Sequence, residues 1–304
     1  MERRAPRSAV LGACGFLGSH LCEVLAQAGH ELVALDAPGR LTDSERAFPS
    51  VVRGLGADPQ AWGPGSDWSA LLEGIDLLFV ALEDPREAPL AAALDAAAEV
   101  PVRKVVLISD AVVYGERGDV PAEEELPDPT TPRARALLAA EDAVRSAGPP
   151  HVVLRPAGVY GPRGRRGLRA ARRAVSLVAE DFEPAPFLHV RDLARAALHV
   201  AVSPQVHEPV YNLGDESFLS AAEANRLLAR LTGHACLRVA PSPALLGAGR
   251  RLGRALSRWR APRERAPRCD ARRLARTGFA LEYPQAARGL RETVEWFKQE
   301  GWLA

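Results

Sequence analysis

The stretch Gly12-Ala13-Cys14-Gly15-Phe16-Leu17-Gly18 constrains this chain more than any other. It follows a short apolar run, Ser8 to Leu11, and precedes a helical pattern from His20 to Ala28. The next apolar run, Glu31 to Leu35, ends at Asp36, eighteen residues beyond Gly18. Strand, glycine turn, helix, strand and acid in that order predict a dinucleotide-binding βαβ unit. Gly12, Gly15 and Gly18 allow a tight turn and a close backbone approach to a pyrophosphate. The helix beginning near Phe16 and Leu17 offers that anion free N–H groups and positive partial charge. Asp36 is then placed to accept hydrogen bonds from ribose hydroxyls.

The rest of the chain extends this unit. Asp76 to Ala81 and Lys104 to Ser109 are apolar runs of the kind that fill central parallel strands. An alanine-rich helical segment, Leu90 to Glu99, separates them. Repeated alternation of strand and helix predicts a Rossmann-type, doubly wound α/β sheet whose ligands sit beyond the carboxyl ends of the strands. Val51 to Gly54 reads as a further short strand, followed by Asp58 and a helix from Trp68 to Leu72. Trp62 to Gly65 reads as a loop insertion.

Bulk properties exclude several classes. The net charge of +1 offers no overall field for nucleic acid. Lys104 and Lys298 are the two lysines among 39 basic residues, so arginine clusters here carry less meaning than usual. Cys14, Cys22, Cys236 and Cys269 lack metal-ligand spacing, which implies free thiols, a reducing cytoplasm and no metal. No apolar run is long enough to span a membrane. Met1 to Arg7 does not read as a signal peptide, because the apolar run after it breaks at Gly12.

The G-x-x-G-x-x-G spacing and the phrase Gly-Phe-Leu-Gly-Ser-His resemble the extended, epimerase/dehydratase branch of the short-chain dehydrogenase/reductase superfamily. Arg155-Pro156-Ala157-Gly158-Val159-Tyr160-Gly161-Pro162, Phe187-Leu188-His189-Val190-Arg191-Asp192 and Tyr211-Asn212-Leu213-Gly214 carry the resemblance through the chain. The layout is nearest to the sterol-dehydrogenase-like members, whose substrates are hydrophobic. The resemblance implies NAD as cofactor, with NADP disfavoured because Asp36 would repel a 2′-phosphate. It implies cofactor contacts at Gly12, Gly15, Phe16, Leu17, Gly18, Asp36, Ala81, Leu82, Pro156 and Val159. Asp58 is a further candidate, beside the alternative that it caps a helix. Glu83, Tyr160 and Phe187 are candidate substrate contacts. Val80 and Leu82 replace small residues, so larger side chains are expected along that edge. Asp192 is expected to cap the helix that runs to Ala201.

Where the resemblance implies a catalytic Ser, Tyr and Lys, this sequence departs from it. Aligned on Ser109 to Gly115 and on Pro132, these positions hold Asp110, Arg133 and Leu137, and no Tyr or Lys occurs between Tyr114 and Tyr160. Asp110, Arg133 and Tyr114 become the candidate catalytic residues; an Asp110–Arg133 pair of purely structural purpose is the alternative.

Two basic stretches remain. Arg163, Arg165, Arg166, Arg169, Arg172 and Arg173 form either an anion site or a solvated face. Residues Ala244 to Arg260 mix Leu245, Leu246, Leu252, Leu256 and Trp259 with five arginines, forming either a core helix or a lid over an apolar substrate with peripheral membrane contact. The expected division is a dinucleotide-binding domain over residues 1–160, with 187–215 packing back on it, and a substrate lobe over 161–186 and 216–304. A homodimer is compatible with this layout. The functional expectation is an oxidoreductase with a non-standard active site acting on a hydrophobic metabolite. A non-catalytic NAD-binding sensor or assembly protein, or a non-redox isomerase or cyclase, are the alternatives.

Overall fold

The structure is a computed structural model that describes residues 4–42, 47–87, 90–115, 120–164, 175–178, 185–217, 219–238 and 266–303. Its elements in chain order are β1 (Arg7–Leu11), α1 (Phe16–Gln27), β2 (Glu31–Asp36), α2 (Pro38–Thr42), α3 (Ala47–Gly54), β3 (Asp58–Ala61), α4 (Trp68–Leu71), β4 (Leu77–Val80), α5 (Leu90–Glu99), β5 (Lys104–Ile108), α6 (Pro132–Ser146), β6 (His151–Pro156), β7 (Val159–Tyr160), β8 (Val175–Val178), β9 (Leu188–His189), α7 (Val190–Val202), β10 (Val210–Leu213), α8 (Ala221–Thr232), β11 (Ala235–Arg238), α9 (Arg272–Ala275) and α10 (Ala286–Gln299). Single turns of tighter helix occupy Pro85–Glu87 and Ala111–Tyr114.

Seven strands form one parallel sheet in the order β10-β6-β5-β4-β1-β2-β3. The order reverses between β1 and β4, which opens a crevice at their carboxyl ends. Strands β1 and β4 are apolar and almost wholly buried because helices cover both faces. One face packs Val10, Phe79, Val106 and Leu154 against α1 and α7. The other packs Leu11, Leu78, Leu107 and Val153 against α5 and α6. Two small parallel pairs, β7 with β9 and β8 with β11, lie outside the main sheet.

Three local expectations change. Val51 to Gly54 is the end of α3, not a strand; the edge strand is Asp58–Ala61. Asp67, not Asp58, caps the following helix by accepting from the Ala70 N–H at 3.1 Å. Asp192 does not cap α7. His189 does, through Nδ1, while the fully buried Asp192 carboxylate accepts from the backbone N–H groups of Glu282 (2.7 Å) and Tyr283 (2.8 Å) and pairs with Arg195. Asp192 thereby ties α7 to the segment that leads into α10.

Among the described residues no helix is long and apolar enough to cross a membrane, and no cluster of ligating side chains suits a metal. Cys14 and Cys22 are buried and belong to no disulfide among the described residues. The amphipathic stretch 244–260 and the arginines from 165 to 173 lie outside the described residues.

Candidate dinucleotide and active site

The glycine turn is shaped by close backbone packing. Gly12 has φ of +88°, and a Cβ there would stand 2.6 Å from the Ala81 carbonyl oxygen. A Cβ on Gly18 would stand 2.1 Å from the Gly12 oxygen. Glycine at these two places lets α1 press against the turn and lets Ala81 shoulder it from β4. Gly15 is extended and offers α1 no side-chain cap, and the first turn of α1 holds no acid. The N-terminus of α1 therefore opens into the crevice with backbone donors, as a pyrophosphate requires.

Asp36 ends β2 beside this turn. Its Oδ2 accepts from the Cys14 N–H at 2.8 Å and its Oδ1 from the Ala37 N–H at 2.8 Å, with Arg40 Nε 3.9 Å from Oδ1. Each carboxylate oxygen has more than one acceptor position, so this fixed geometry suits a ribose edge. The glycine cradle and Asp36 together fit a dinucleotide. Phe16 and Leu17 lie in the first turn of α1, Leu17 packing into the core behind it.

Asp58 is not part of this arrangement. It pairs in register with Val33, at the entry end of β3, and its carboxylate accepts from the Gln60 side chain. The exit end of β3, next to Asp36, is Ala61 followed by Trp62, whose N–H donates to the Asp36 carbonyl at 3.2 Å. Val80 is fully buried within the sheet, and the half-buried Leu82 packs on the same apolar cluster. Val80 therefore lines no ligand edge. Glu83 is found at the mouth of α1, where the Phe16 N–H donates to its Oε1 at 3.3 Å.

At the ends of β5 and α6 the structure brings Asp110 and Arg133 together. Arg133 Nη2 donates to Asp110 Oδ2 at 3.0 Å, and Oδ1 accepts from the Val112 N–H at 3.0 Å. The pair is partly exposed. Leu137, one turn further along α6, is buried among Val113, Tyr114 and Ala134. Tyr114 is fully buried as well. Its hydroxyl donates to Asn212 Oδ1 (2.9 Å) and accepts from Arg155 Nη1 (2.8 Å), and burial raises its pKa. It has no path to a substrate, so it leaves the list of catalytic candidates.

Beneath that tyrosine lies a group the sequence did not point to. Glu141 is fully buried and accepts from Arg155 Nε (3.0 Å) and Nη2 (2.6 Å) and from Ser109 Oγ (2.6 Å). Burial works against the Arg155 charge, but the hydrogen bonds and charge of Glu141 outweigh it and raise the guanidinium pKa. An arginine inside an apolar strand run was the visible signal.

Tyr160 and Phe187 meet edge to face, with ring centroids 5.9 Å apart, and pack with α8 and α10. Leu82 belongs to a different apolar cluster. The Tyr160 hydroxyl donates to the Ala286 carbonyl at 3.3 Å, and burial first, then nearby Asp215 and Asp192, raise its pKa. Pro156 ends β6 and Val159 begins β7, leading the chain from the sheet to this cluster. Arg163 is buried and left-handed (φ 64°), and it clamps Glu23 of α1 through two bonds of 2.7 Å. It serves as a strut and not as part of an anion site.

Asp215 adjoins Tyr160. Its N–H donates to the Phe187 carbonyl at 2.8 Å, and its carboxylate accepts from Ser217 Oγ at 2.7 Å. Burial raises its pKa to about 6 against the opposing pull of Ser217 and Arg268. The folded state thus favours the protonated acid. This contribution to stability is fully present at pH below about 4 and is lost as pH rises through about 6. Asp215→Asn is therefore expected to gain stability over the wild type across that window and to keep the gain above it. Urea midpoints at both ends of the window measure it; a pH-independent difference would contradict it.

A family model described as NAD(P)H-binding matches residues 12–200, more than half of the chain. The chain belongs to the NAD(P)H-binding family. The uncharacterized UDP-glucose epimerase YtcB of Bacillus subtilis is 25% identical over 265 residues, covering 74% of this chain and 81% of that protein. The (4-alkanoyl-5-oxo-2,5-dihydrofuran-3-yl)methyl phosphate reductase of Streptomyces griseus is 28% identical over 233 residues, covering 74% and 73%. The structure of MoeE5 in complex with UDP-glucose and NAD superposes with a TM-score of 0.71 at 23% identity, over 97% of this chain and 99% of that one. The fold is the Rossmann-type fold of the epimerase/dehydratase branch of the short-chain dehydrogenase/reductases, as the motifs implied.

Proposed function

We propose that this chain is an NAD(P)H-dependent reductase that delivers hydride to an electron-poor, apolar small molecule without a tyrosine acid. The Asp110–Arg133 pair carries the reading: a fixed cation stands where β5 and α6 converge on the crevice. The glycine cradle and Asp36 would hold a reduced nicotinamide dinucleotide, which would supply the hydride. Arg133 holds the substrate oxygen on which negative charge develops as the hydride adds to carbon. Asp110 aims the guanidinium and is itself aimed by the Val112 N–H. The proton that completes the reduction comes from water, because Arg133 stays protonated and Tyr114 is sealed off.

Magnitudes permit this. A general acid contributes about 10²- to 10⁴-fold, whereas alignment of two reactants contributes about 7–11 kcal/mol. A substrate already activated by conjugation manages with the second. The Streptomyces griseus relative is named for reducing the phosphate ester of an unsaturated lactone that carries an alkanoyl group, and the conjugated ring of that ester is activated in this way. The chain's own glycine cradle and Asp36 favour NAD over NADP, since a 2′-phosphate would meet the Asp36 carboxylate. Calorimetry with NADH and NADPH tests that preference, and tighter NADPH binding would reverse it.

Asp110→Asn and Arg133→Ala are each expected to lower single-turnover NADH oxidation by at least about tenfold while sparing NADH affinity, as for groups acting at the transition state. The assay compares NADH oxidation on a conjugated lactone with epimerisation of UDP-glucose in the presence of NAD. Wild-type rates in both variants would remove the pair from the mechanism. Turnover of UDP-glucose alone would point to the chemistry of the epimerase relatives. No turnover of either would favour the non-catalytic reading.

A further inference from the structure

We propose that Glu83 is an internal competitor for the dinucleotide pyrophosphate, a carboxylate seated at the mouth of α1 that must swing away before the cofactor binds. The seat is defined by three observations. The Phe16 N–H, the first donor of α1, points at Glu83 Oε1 from 3.3 Å. The same oxygen lies 3.7 Å from where a Cβ on Gly15 would stand, so the carboxylate rests over the glycine turn itself. Finally, α1 brings no cap of its own: Gly15 has no side chain to offer and the first turn holds no acid.

A helix start without a local cap attracts an anion. Here the anion comes from sixty-seven residues further along the chain, just past β4. Ala81, two residues before Glu83, packs its carbonyl against Gly12 and fixes where the carboxylate starts. A pyrophosphate approaching the same N–H groups brings like charge to within a few ångströms of Glu83, and the two cannot share the seat. Asp84 beside it is engaged with Arg86 and does not take over the role. Glu83 therefore competes with the dinucleotide for this donor, and cofactor affinity is set by the displacement of that side chain as well as by the glycine cradle.

This inference needs only dinucleotide binding, so failure of the reductase reading above would leave it standing. Calorimetry on the full chain, comparing Glu83→Gln and Glu83→Asp with wild type, tests it using ADP-ribose, NADH and adenosine. Glu83→Gln is expected to tighten ADP-ribose and NADH about two- to fivefold, on the scale of a charge at an exposed helix end, and to leave adenosine unchanged. Glu83→Asp, which keeps the charge on a shorter stem, should fall between. Without ligand, Glu83→Gln should melt below wild type, yet show the larger rise in Tm when ADP-ribose is added. Unchanged ADP-ribose affinity in both variants would overturn the proposal. So would an equal gain for adenosine, which has no pyrophosphate, or an absence of ADP-ribose binding in all three proteins.

Discussion

Replacing Glu141 with leucine is expected to cost about 3–5 kcal/mol of folding stability, because it strands a buried guanidinium. Arg155 is 3% exposed and gives Nε and Nη2 to Glu141. Its Nη1 bonds the Tyr114 hydroxyl, and its guanidinium carbon lies 4.8 Å from the centre of that ring. Without Glu141 neither the aromatic ring nor the hydroxyl can balance the charge, and Ser109 loses its acceptor too. Removing both charges is a different experiment. Glu141→Leu combined with Arg155→Met should recover much of the loss, since well-packed apolar groups often equal or exceed a buried ion pair. Chemical denaturation of the two single variants and the double variant closes the cycle. A single-variant loss below about 1 kcal/mol would mean that water reaches the guanidinium.

Gly18→Ala is expected to be nearly as damaging, and to strike binding as well as stability. The added methyl would sit 2.1 Å from the Gly12 oxygen and 2.8 Å from the Ala13 Cα, both backbone atoms that no rotamer change relieves. Helix α1 must retreat from the turn, which costs about 1–3 kcal/mol as overpacking. Its N-terminal donors retreat with it, so dinucleotide affinity should fall by at least about tenfold, or about 1.4 kcal/mol. Gly29→Ala is the control. It adds backbone strain at φ of +79° but meets nothing within 4 Å, and it should leave dinucleotide affinity where it was. Equal affinity in the Gly18 and Gly29 variants would show that the turn tolerates displacement.

The sheet was legible because its central strands are buried on both faces. Ser8 to Leu11, Asp76 to Ala81 and Lys104 to Ser109 read as mostly apolar runs for that reason. Strand β3 was not legible. It is an edge strand of Asp58, Pro59, Gln60 and Ala61, paired on one side and mostly exposed, so nothing forces an apolar pattern on it. The apolar Val51 and Val52 drew the strand assignment instead, and Asp58 became a cofactor candidate through the family resemblance alone. The glycine turn and Asp36 could be read because their roles are local. The Glu141–Arg155 pair, the seat of Glu83 and the clamp of Arg163 on Glu23 could not, because each joins residues that only the fold brings together. Tyr114 misled for a related reason: a tyrosine beside a strand end is read as reactive until its hydroxyl is found occupied.

The covering of α1 has a consequence for how the protein is made. Leu21 and Leu25 of this helix pack with Leu193, Ala194 and Ala197 of α7, and Glu23 waits for Arg163. The glycine turn leaves the ribosome before the surface that steadies its helix: Arg163 follows Glu23 by 140 residues, and α7 comes later still. The nascent βαβ unit spends that interval with an apolar helix face open to solvent and to chaperones. The cofactor cradle is finished only when Arg163 and α7 arrive, so a ribosome stalled near residue 160 would present it incomplete.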